Sequence, residues 1–127
     1  MNQTRIQTDH APAAIGPYSQ GISVGDFIFC SGQAGLDPAA GKLVEGDVQA
    51  QARCTLENLK AVLEAAGTDL AHVVKTTVFL ADMADFKAMN EVYATYFPGT
   101  PPARSTIAAK ALPLGALVEI ECIAVKK

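Results

Sequence analysis

The segment VVKTTVFLADMADFKAMNEVYATYFPG, residues 73–99, indicates the fold class because it joins a strand to a helix. Its first part, Val73–Leu80, is rich in β-branched residues and apolar on both faces, which is typical of a strand inside a sheet. The helix is expected to start near Asp82 or Asp85 and to end before Pro98. Its apolar residues recur at helical spacing: Phe86, Met89, Tyr93 and Phe97.

The segments on either side of this unit add a helix and further strands. Asp47 is a good N-cap for a helix whose apolar residues recur at three- and four-residue spacing until Gly67 ends it. A Gly25-Asp26 turn predicts a hairpin between two apolar runs. The predicted strands are a short one near Arg5, the hairpin strands Tyr18–Val24 and Phe27–Ser31, and the C-terminal strands Ala103–Ala109 and Leu117–Val125.

This order of elements predicts an α+β domain in which two helices pack on one face of a mixed β-sheet. The other face of the sheet needs a cover of its own, which favours self-association. Only 18% of the residues are charged and 50% are apolar, whereas a typical soluble domain is about 25% charged. The composition therefore also indicates an oligomer, and the length predicts a single domain over residues 1–127.

Charge and cysteine content exclude several classes of function. The net charge of −3 argues against a large cationic surface for nucleic acid or an anionic membrane. Three widely spaced cysteines suggest neither a disulfide framework nor a zinc site. The first eight residues are polar, unlike a secretory signal, and no apolar run is long enough to span a membrane. We therefore expect a cytoplasmic protein.

Two carboxylates interrupt the last predicted strand. By alternation, Glu119 and Glu121 share a face with Leu117, Ile123 and Val125. A buried carboxylate needs a partner or a function. The other interpretation is an edge strand whose glutamates are solvated, and the pattern alone does not decide between them.

Arg104 opens the preceding predicted strand, on the same face as Thr106. An antiparallel pairing of the last two strands would bring Arg104 near one of the two glutamates. The arginine would then form an ordinary cross-strand ion pair, or it would hold the carboxylate of a substrate with its planar fork of donors.

Three other polar or reactive residues are candidates for the site. Asn90 falls on the apolar stripe of the second predicted helix, where it either holds a loop or contacts a ligand. Ser31 is a poor candidate nucleophile because nothing places His72 beside it. Cys30 lies inside a predicted strand and is interpreted as a small core residue.

Several short motifs, in order along nearly the whole chain, resemble one family. They are Ala14-Ile15-Gly16-Pro17-Tyr18-Ser19-Gln20, Ser31-Gly32-Gln33, Val74–Leu80, Pro102-Ala103-Arg104-Ser105, and Val118-Glu119-Ile120-Glu121 with the Ile123-Ala124-Val125 that follows. Each is weak alone, but jointly they are specific. The sequence resembles the Rid (YjgF-like) family, and within it the enamine/imine deaminase branch.

The resemblance implies a chorismate-mutase-like α+β fold and a homotrimer with active sites in clefts between subunits. It implies hydrolytic deamination of 2-aminoacrylate, 2-aminocrotonate and their imine tautomers to 2-oxo acids and ammonia. It implies no cofactor and no metal.

The resemblance also assigns roles to residues. Arg104 matches the arginine that grips the substrate carboxylate, and Glu119 matches the glutamate near the hydrolytic water. Thr106 stands where many deaminase members have cysteine, so any chemistry of that thiol is absent here. The residues expected to bind substrate are Tyr18, Ser31, Gly32, Asn90, Arg104 and Thr106.

The sequence is also compatible with two other functions. One is a non-catalytic module, or regulatory trimer, that binds 2-oxo acids or other small carboxylates. The other is an RNA-cleaving or chaperone-like role, as attached to relatives in the family. Nuclease chemistry is disfavoured by the acidic balance and by the lack of a histidine pair.

Overall fold

The computed structural model describes residues 2–127 as one six-stranded mixed sheet with two α-helices on one face. The order of strands across the sheet is β1-β2-β3-β6-β4-β5. The elements, in chain order, are β1 Gln3–Ile6, β2 Gly21–Val24, β3 Phe27–Ala34, α1 Val48–Ala65, β4 Val73–Leu80, α2 Phe86–Tyr96, β5 Ala103–Ala108 and β6 Val118–Val125. This architecture confirms the predicted α+β fold class, and none of the described helices is both long and apolar enough to cross a membrane.

Both helices begin and end for the reasons expected from their sequences. The Asp47 side chain accepts a hydrogen bond from the backbone N–H of Ala50 at 3.1 Å, so it caps α1. Gly67 follows the end of α1 with φ +81°, a conformation that glycine adopts at little cost. A single 3-10 turn that starts after Asp82 leads into α2, and Pro98 follows the end of that helix.

The N-terminal hairpin was predicted in the right place, with different ends. β2 starts at Gly21 and not at Tyr18, because the residues before it belong to a loop. β3 continues past Ser31 to Ala34, across an irregularity in its pairing with β6 between Cys30 and Gln33. The predicted core position of Cys30 is confirmed, since this side chain is buried.

The last two strands are not the antiparallel neighbours that would bring Arg104 near one of the two glutamates. β5 pairs with β4 in parallel, and β6 lies between β3 and β4. The connection between β5 and β6 is long enough for the chain to cross to the centre of the sheet, so neighbours in sequence are not neighbours in the sheet. The interpretation of the last strand as a solvated edge is therefore wrong, whereas the internal position of β4 is confirmed.

The two faces of the sheet have different surroundings. The helices cover one face, where β6 contributes Val118, Ile120, Cys122 and Ala124 to the buried core. The opposite face, here called the open face, carries no helix. It exposes large apolar side chains, among them Phe27, Phe29 and Ile107. Alternation along β6 places Glu119 and Glu121 on this open face.

Candidate active site

Glu119 lies on the central strand β6, against a close approach of the β3 backbone. Its register partners are Phe79 on β4 and Ala34 on β3. A Cβ atom on Gly32 would lie 2.5 Å from Oε2 of Glu119, so only glycine leaves room for this carboxylate. The irregularity in β3 between Cys30 and Gln33 brings Gly32 to this position.

The Glu119 carboxylate faces a small pocket of about 110 Å³. Its walls include Tyr18 and Gly32 from the predicted site, and the rim carries Ile15 and Leu114, which are 80% and 62% exposed. Leu114 adopts φ +61°, which is unusual for a side chain of this size. The pocket thus combines one carboxylate with an exposed apolar rim.

The surroundings of Glu119 favour its protonated form. Burial raises the pKa of this carboxyl above its usual value, and the negative charge of Glu121 raises the pKa further. A carboxylate with a raised pKa accepts a proton from water more readily than an ordinary glutamate does. A glutamate with a raised pKa is chemically suited to exchange protons with water.

A hydrogen-bonded loop forms the wall beside this carboxylate. The buried Gln20 side chain accepts from the backbone N–H of Thr8 at 2.8 Å and donates to the carbonyls of Thr8 and Pro12 at 3.1 and 2.8 Å. The Ser31 hydroxyl donates to the carbonyl of Ser19 at 2.6 Å. Ser31 therefore fixes the loop that carries Tyr18, and no pattern in the sequence indicates the part played by Gln20.

Arg104 forms a second cluster with side chains of α2. Its Nη1 donates to Oδ1 of Asn90 at 2.8 Å. Its Cζ lies 4.8 Å from the centroid of the Tyr93 ring and 5.6 Å from that of Phe86. A cavity of about 310 Å³, lined by Asn90, Tyr93 and Phe97 among others, opens beside the guanidinium. Asn90 thus orients Arg104, a contact that the sequence did not indicate, and it also lines the cavity.

Thr106 lies two residues along β5, on the same face as Arg104. Its Oγ1 is buried and has no hydrogen-bond partner among the described residues. A buried hydroxyl without a partner is costly. Thr106 is therefore the site residue whose surroundings in the single protomer are incomplete.

The predicted site residues fall into two groups on opposite faces of the sheet. Arg104 pairs in register with Thr76, whose hydroxyl bonds to Tyr93 of α2, so Arg104 points to the helix-covered face. Glu119 points to the open face. The structure brings Asn90 to Arg104, and it brings Gly32 and Tyr18 to Glu119. A single protomer does not unite the two groups.

The histidines and the possible metal ligands lie elsewhere. Nδ1 of His72 bonds to Asp69 at 2.6 Å, and Lys127 reaches the same carboxylate. His10 lines a groove along α1, beside Cys54. Within residues 2–127, no group of three or more His, Cys, Asp or Glu side chains is arranged to hold a metal ion.

Comparisons with known proteins agree with the motifs quoted above. The family model described as Endoribonuclease L-PSP matches residues 8–126. A mouse (Mus musculus) protein named 2-iminobutanoate/2-iminopropanoate deaminase is 56% identical over 121 residues, which are 95% of this chain and 90% of that protein. Protein DfrA of Myxococcus xanthus is 55% identical over 127 residues, covering 98% of this chain and 97% of its own length.

A solved structure shows the same fold. The crystal structure of E. coli TdcF with bound serine superposes with a TM-score of 0.92 at 43% identity, and the match covers 98% of this chain and 99% of TdcF. The family match extends over nearly all of the sequence, and the relatives match at high identity over most of their own lengths. This chain therefore belongs to the Rid (YjgF-like) family.

Proposed function

We propose that this protein hydrolyses reactive enamine and imine acids, such as 2-aminoacrylate and 2-aminocrotonate with their imine tautomers, to 2-oxo acids and ammonia. The observation that carries the proposal is the presence of two groups that the reaction needs, a cation for the substrate carboxylate and a carboxylate for proton transfer. Arg104 is a cation held by Asn90 whose other donors have no partner within residues 2–127, and Glu119 is a carboxylate of raised pKa. Membership of the family and the names of the 53–56% identical mammalian relatives support the same reaction.

Arg104 binds the substrate carboxylate. Asn90 occupies one Nη1 donor, and the other N–H groups of the guanidinium remain for two charge-assisted hydrogen bonds to the substrate. This contact orients the planar acid relative to the base. TdcF, which was crystallised with bound serine, is a relative whose ligand carries the same carboxylate.

Glu119 performs the proton transfers. The enamine takes up a proton at its terminal carbon and becomes the iminium, the protonated form of the imine. Glu119 then removes a proton from water as the water oxygen attacks the imine carbon. The nitrogen of the tetrahedral adduct takes the proton returned by Glu119 and leaves as ammonia, while the hydroxyl group of the adduct releases its proton to solvent and becomes the carbonyl. A general acid/base contributes about 10²–10⁴-fold to such a reaction.

The complete site combines two copies of the chain, in a homotrimer. Arg104 and Glu119 point to opposite faces of one sheet, so a second protomer has to supply the missing partner. Exposed apolar side chains lie on the rim of the Glu119 pocket and on β5, at Ile15, Leu114 and Ile107. Burial of such side chains between copies would stabilise the assembly.

The reaction is tested by generating 2-aminoacrylate with a serine dehydratase and following its trapping by semicarbazide. The wild-type protein should suppress semicarbazone formation and speed the release of pyruvate. Arg104→Ala should lose turnover and 2-oxobutanoate binding, whereas Glu119→Gln should lose turnover and keep the binding. A wild-type protein that binds 2-oxobutanoate without turnover would support a binding or regulatory module instead.

Subunit mixing tests where the site lies. Arg104→Ala and Glu119→Gln protomers are each expected to be inactive, and they are refolded together as mixed oligomers. If one site takes Arg104 from one copy and Glu119 from another, the mixture regains part of the activity. No recovery in mixed oligomers, or a monomer by light scattering, would contradict the shared site.

The description of the family model as an endoribonuclease names a second activity to measure. His72 is engaged with Asp69, and neither His72 nor His10 lines the pocket that Glu119 faces. We expect no RNA cleavage that depends on Glu119 or Arg104.

We also expect the protein to act in the cytoplasm, on small molecules and without a cofactor.

A further inference from the structure

A hydroxyl pair lies inside the apolar layer between α2 and the sheet. The hydroxyls of Tyr93 and Thr76 are 2.7 Å apart, and the two residues are 6% and 0% exposed. Phenylalanine and valine would fill the same space without polar atoms, and replacing both partners of a buried bond is often nearly neutral. The physical consequence of this bond is that it fixes the orientation of the Tyr93 ring.

The Tyr93 ring forms the surface on which Arg104 rests. The Cζ atom of Arg104 lies 4.8 Å from the ring centroid, a distance at which a guanidinium is attracted to an aromatic ring. Phe97 supports Tyr93, with ring centroids 4.7 Å apart. Asn90 holds Nη1 of the same guanidinium at 2.8 Å. The aromatic contact and the hydrogen bond together fix the position and the plane of the cation.

Thr76, which anchors the Tyr93 ring, and Arg104 lie side by side in the sheet. Thr76 on β4 and Arg104 on β5 are register partners, so their Cα atoms are neighbours across the parallel ladder. A displacement of β5 relative to β4 would therefore disturb both ends of the contact. The arrangement ties the guanidinium to the rigid sheet, although Arg104 itself lies on an edge strand.

We propose that Tyr93, anchored by Thr76, is a positioning residue that holds the guanidinium of Arg104 ready for a substrate carboxylate. An arginine without this support would have to be ordered when the substrate binds, and the loss of rotamer freedom would weaken binding. The inference rests on the proposed function only for the identity of the bound acid. Tyr93 touches the arginine and acts through it.

The test compares Tyr93→Leu, Tyr93→Phe and Thr76→Val with the wild-type protein. Tyr93→Leu removes the ring, and KM for 2-aminoacrylate and Kd for 2-oxobutanoate should rise by about tenfold. Tyr93→Phe and Thr76→Val keep the ring and free its orientation, so they should raise both constants by about two- to threefold. In all three variants kcat should change less than KM.

Tyr96 provides the matched control on the same helix. It lies near Glu57 rather than Arg104, and burial with the neighbouring Glu57 raises the pKa of Tyr96 to about 12. Tyr96→Leu and Tyr96→Phe should leave KM and Kd unchanged, even where they lower the melting temperature. Equal effects at Tyr93 and Tyr96 would show that general destabilisation, and not the position of Arg104, is responsible.

A magnetic resonance measurement tests the contact without turnover. The Arg104 side-chain resonances should carry an upfield ring-current shift that Tyr93→Phe keeps and Tyr93→Leu lowers, leaving the contribution of the more distant Phe86 ring. If the wild-type protein neither converts 2-aminoacrylate nor binds 2-oxobutanoate, the proposed function is wrong. The ring-current shift of Arg104 then still tests whether Tyr93 positions the guanidinium. If the wild type is active and the folded Tyr93→Phe, Tyr93→Leu and Thr76→Val variants all have its KM, the positioning role is wrong and the deaminase proposal stands.

Discussion

Substitution of Gly32 by alanine tests whether the position of the Glu119 carboxylate controls the rate. The backbone of Gly32 has no positive φ, so alanine is not strained there, and the three heavy atoms nearest to the new Cβ all belong to Glu119. It would lie 2.5 Å from Oε2, 3.0 Å from Cδ and 3.1 Å from Cγ. Because the contact is with the end of a flexible side chain, the carboxylate should move while the fold is kept.

The magnitude follows from these distances. Carbon and oxygen atoms that are not bonded to each other lie about 3.3–3.6 Å apart, so Oε2 has to retreat by about 1 Å from its 2.5 Å position. Misplacement of a reacting group by about 1 Å costs about 10²-fold in rate. We therefore expect Gly32→Ala to lower kcat by about 100-fold, with 2-oxobutanoate binding at Arg104 retained.

The assay is the semicarbazide trapping of 2-aminoacrylate, with calorimetric binding of 2-oxobutanoate beside it. Gly99→Ala is the matched control, because a Cβ on Gly99 would meet nothing within 4 Å. The double variant Gly32→Ala/Glu119→Gln should be no slower than Glu119→Gln alone, since both changes remove the same group. Full activity of Gly32→Ala, or a further loss in the double variant, would refute the reasoning.

Three further substitutions give independent tests. Glu121→Gln removes a negative charge that raises the pKa of Glu119. Because catalysis requires the deprotonated base, the acidic limb of the pH profile of kcat/KM should move to lower pH. An acidic limb that does not move would contradict the electrostatic coupling of Glu119 to Glu121. Thr106→Val removes an unpartnered hydroxyl and should raise the free energy of unfolding by about 1 kcal/mol in urea titrations. If this variant instead binds 2-oxobutanoate more weakly, the hydroxyl contacts the ligand. Gln20→Met removes hydrogen bonds that fix the loop before β2 and should cost about 2–4 kcal/mol, with the loss visible as a lower melting temperature. An unchanged melting temperature would mean that other contacts hold the loop.

Local features of the sequence were sufficient to place the helices and strands. The cap at Asp47, the stop at Gly67 and the apolar spacing along α2 depend on residues within a few positions of one another, so they can be read without knowledge of the fold. Alternation also placed Glu119 and Glu121 on one face of their strand. The errors concern strand ends and pairing, as at Tyr18 and between β5 and β6.

The residues that support the site were harder to foresee. Gln20 belongs to a quoted motif, but its hydrogen bonds reach back to residues 8–12, and a loop gives no periodic pattern. Tyr93 was assigned to the apolar stripe of α2, and the need of its buried hydroxyl for a partner was a signal that could have been used. The sequence did not show that this partner is Thr76.

The sequence by itself determined the fold class, the family and the two ionisable residues on which the proposed reaction depends. Only the tertiary structure decided that Arg104 lies beside Asn90 and Tyr93, that Gly32 leaves space for Glu119, and that the two clusters face opposite sides of the sheet. The physical reason is that a strand's period of two fixes which residues share a face, whereas its neighbours in the sheet depend on contacts between distant segments. In the sheet, β6 lies between β3 and β4, so β4 separates it from β5. Arg104 and Glu119 are therefore not on neighbouring strands, although β5 and β6 are consecutive in the sequence.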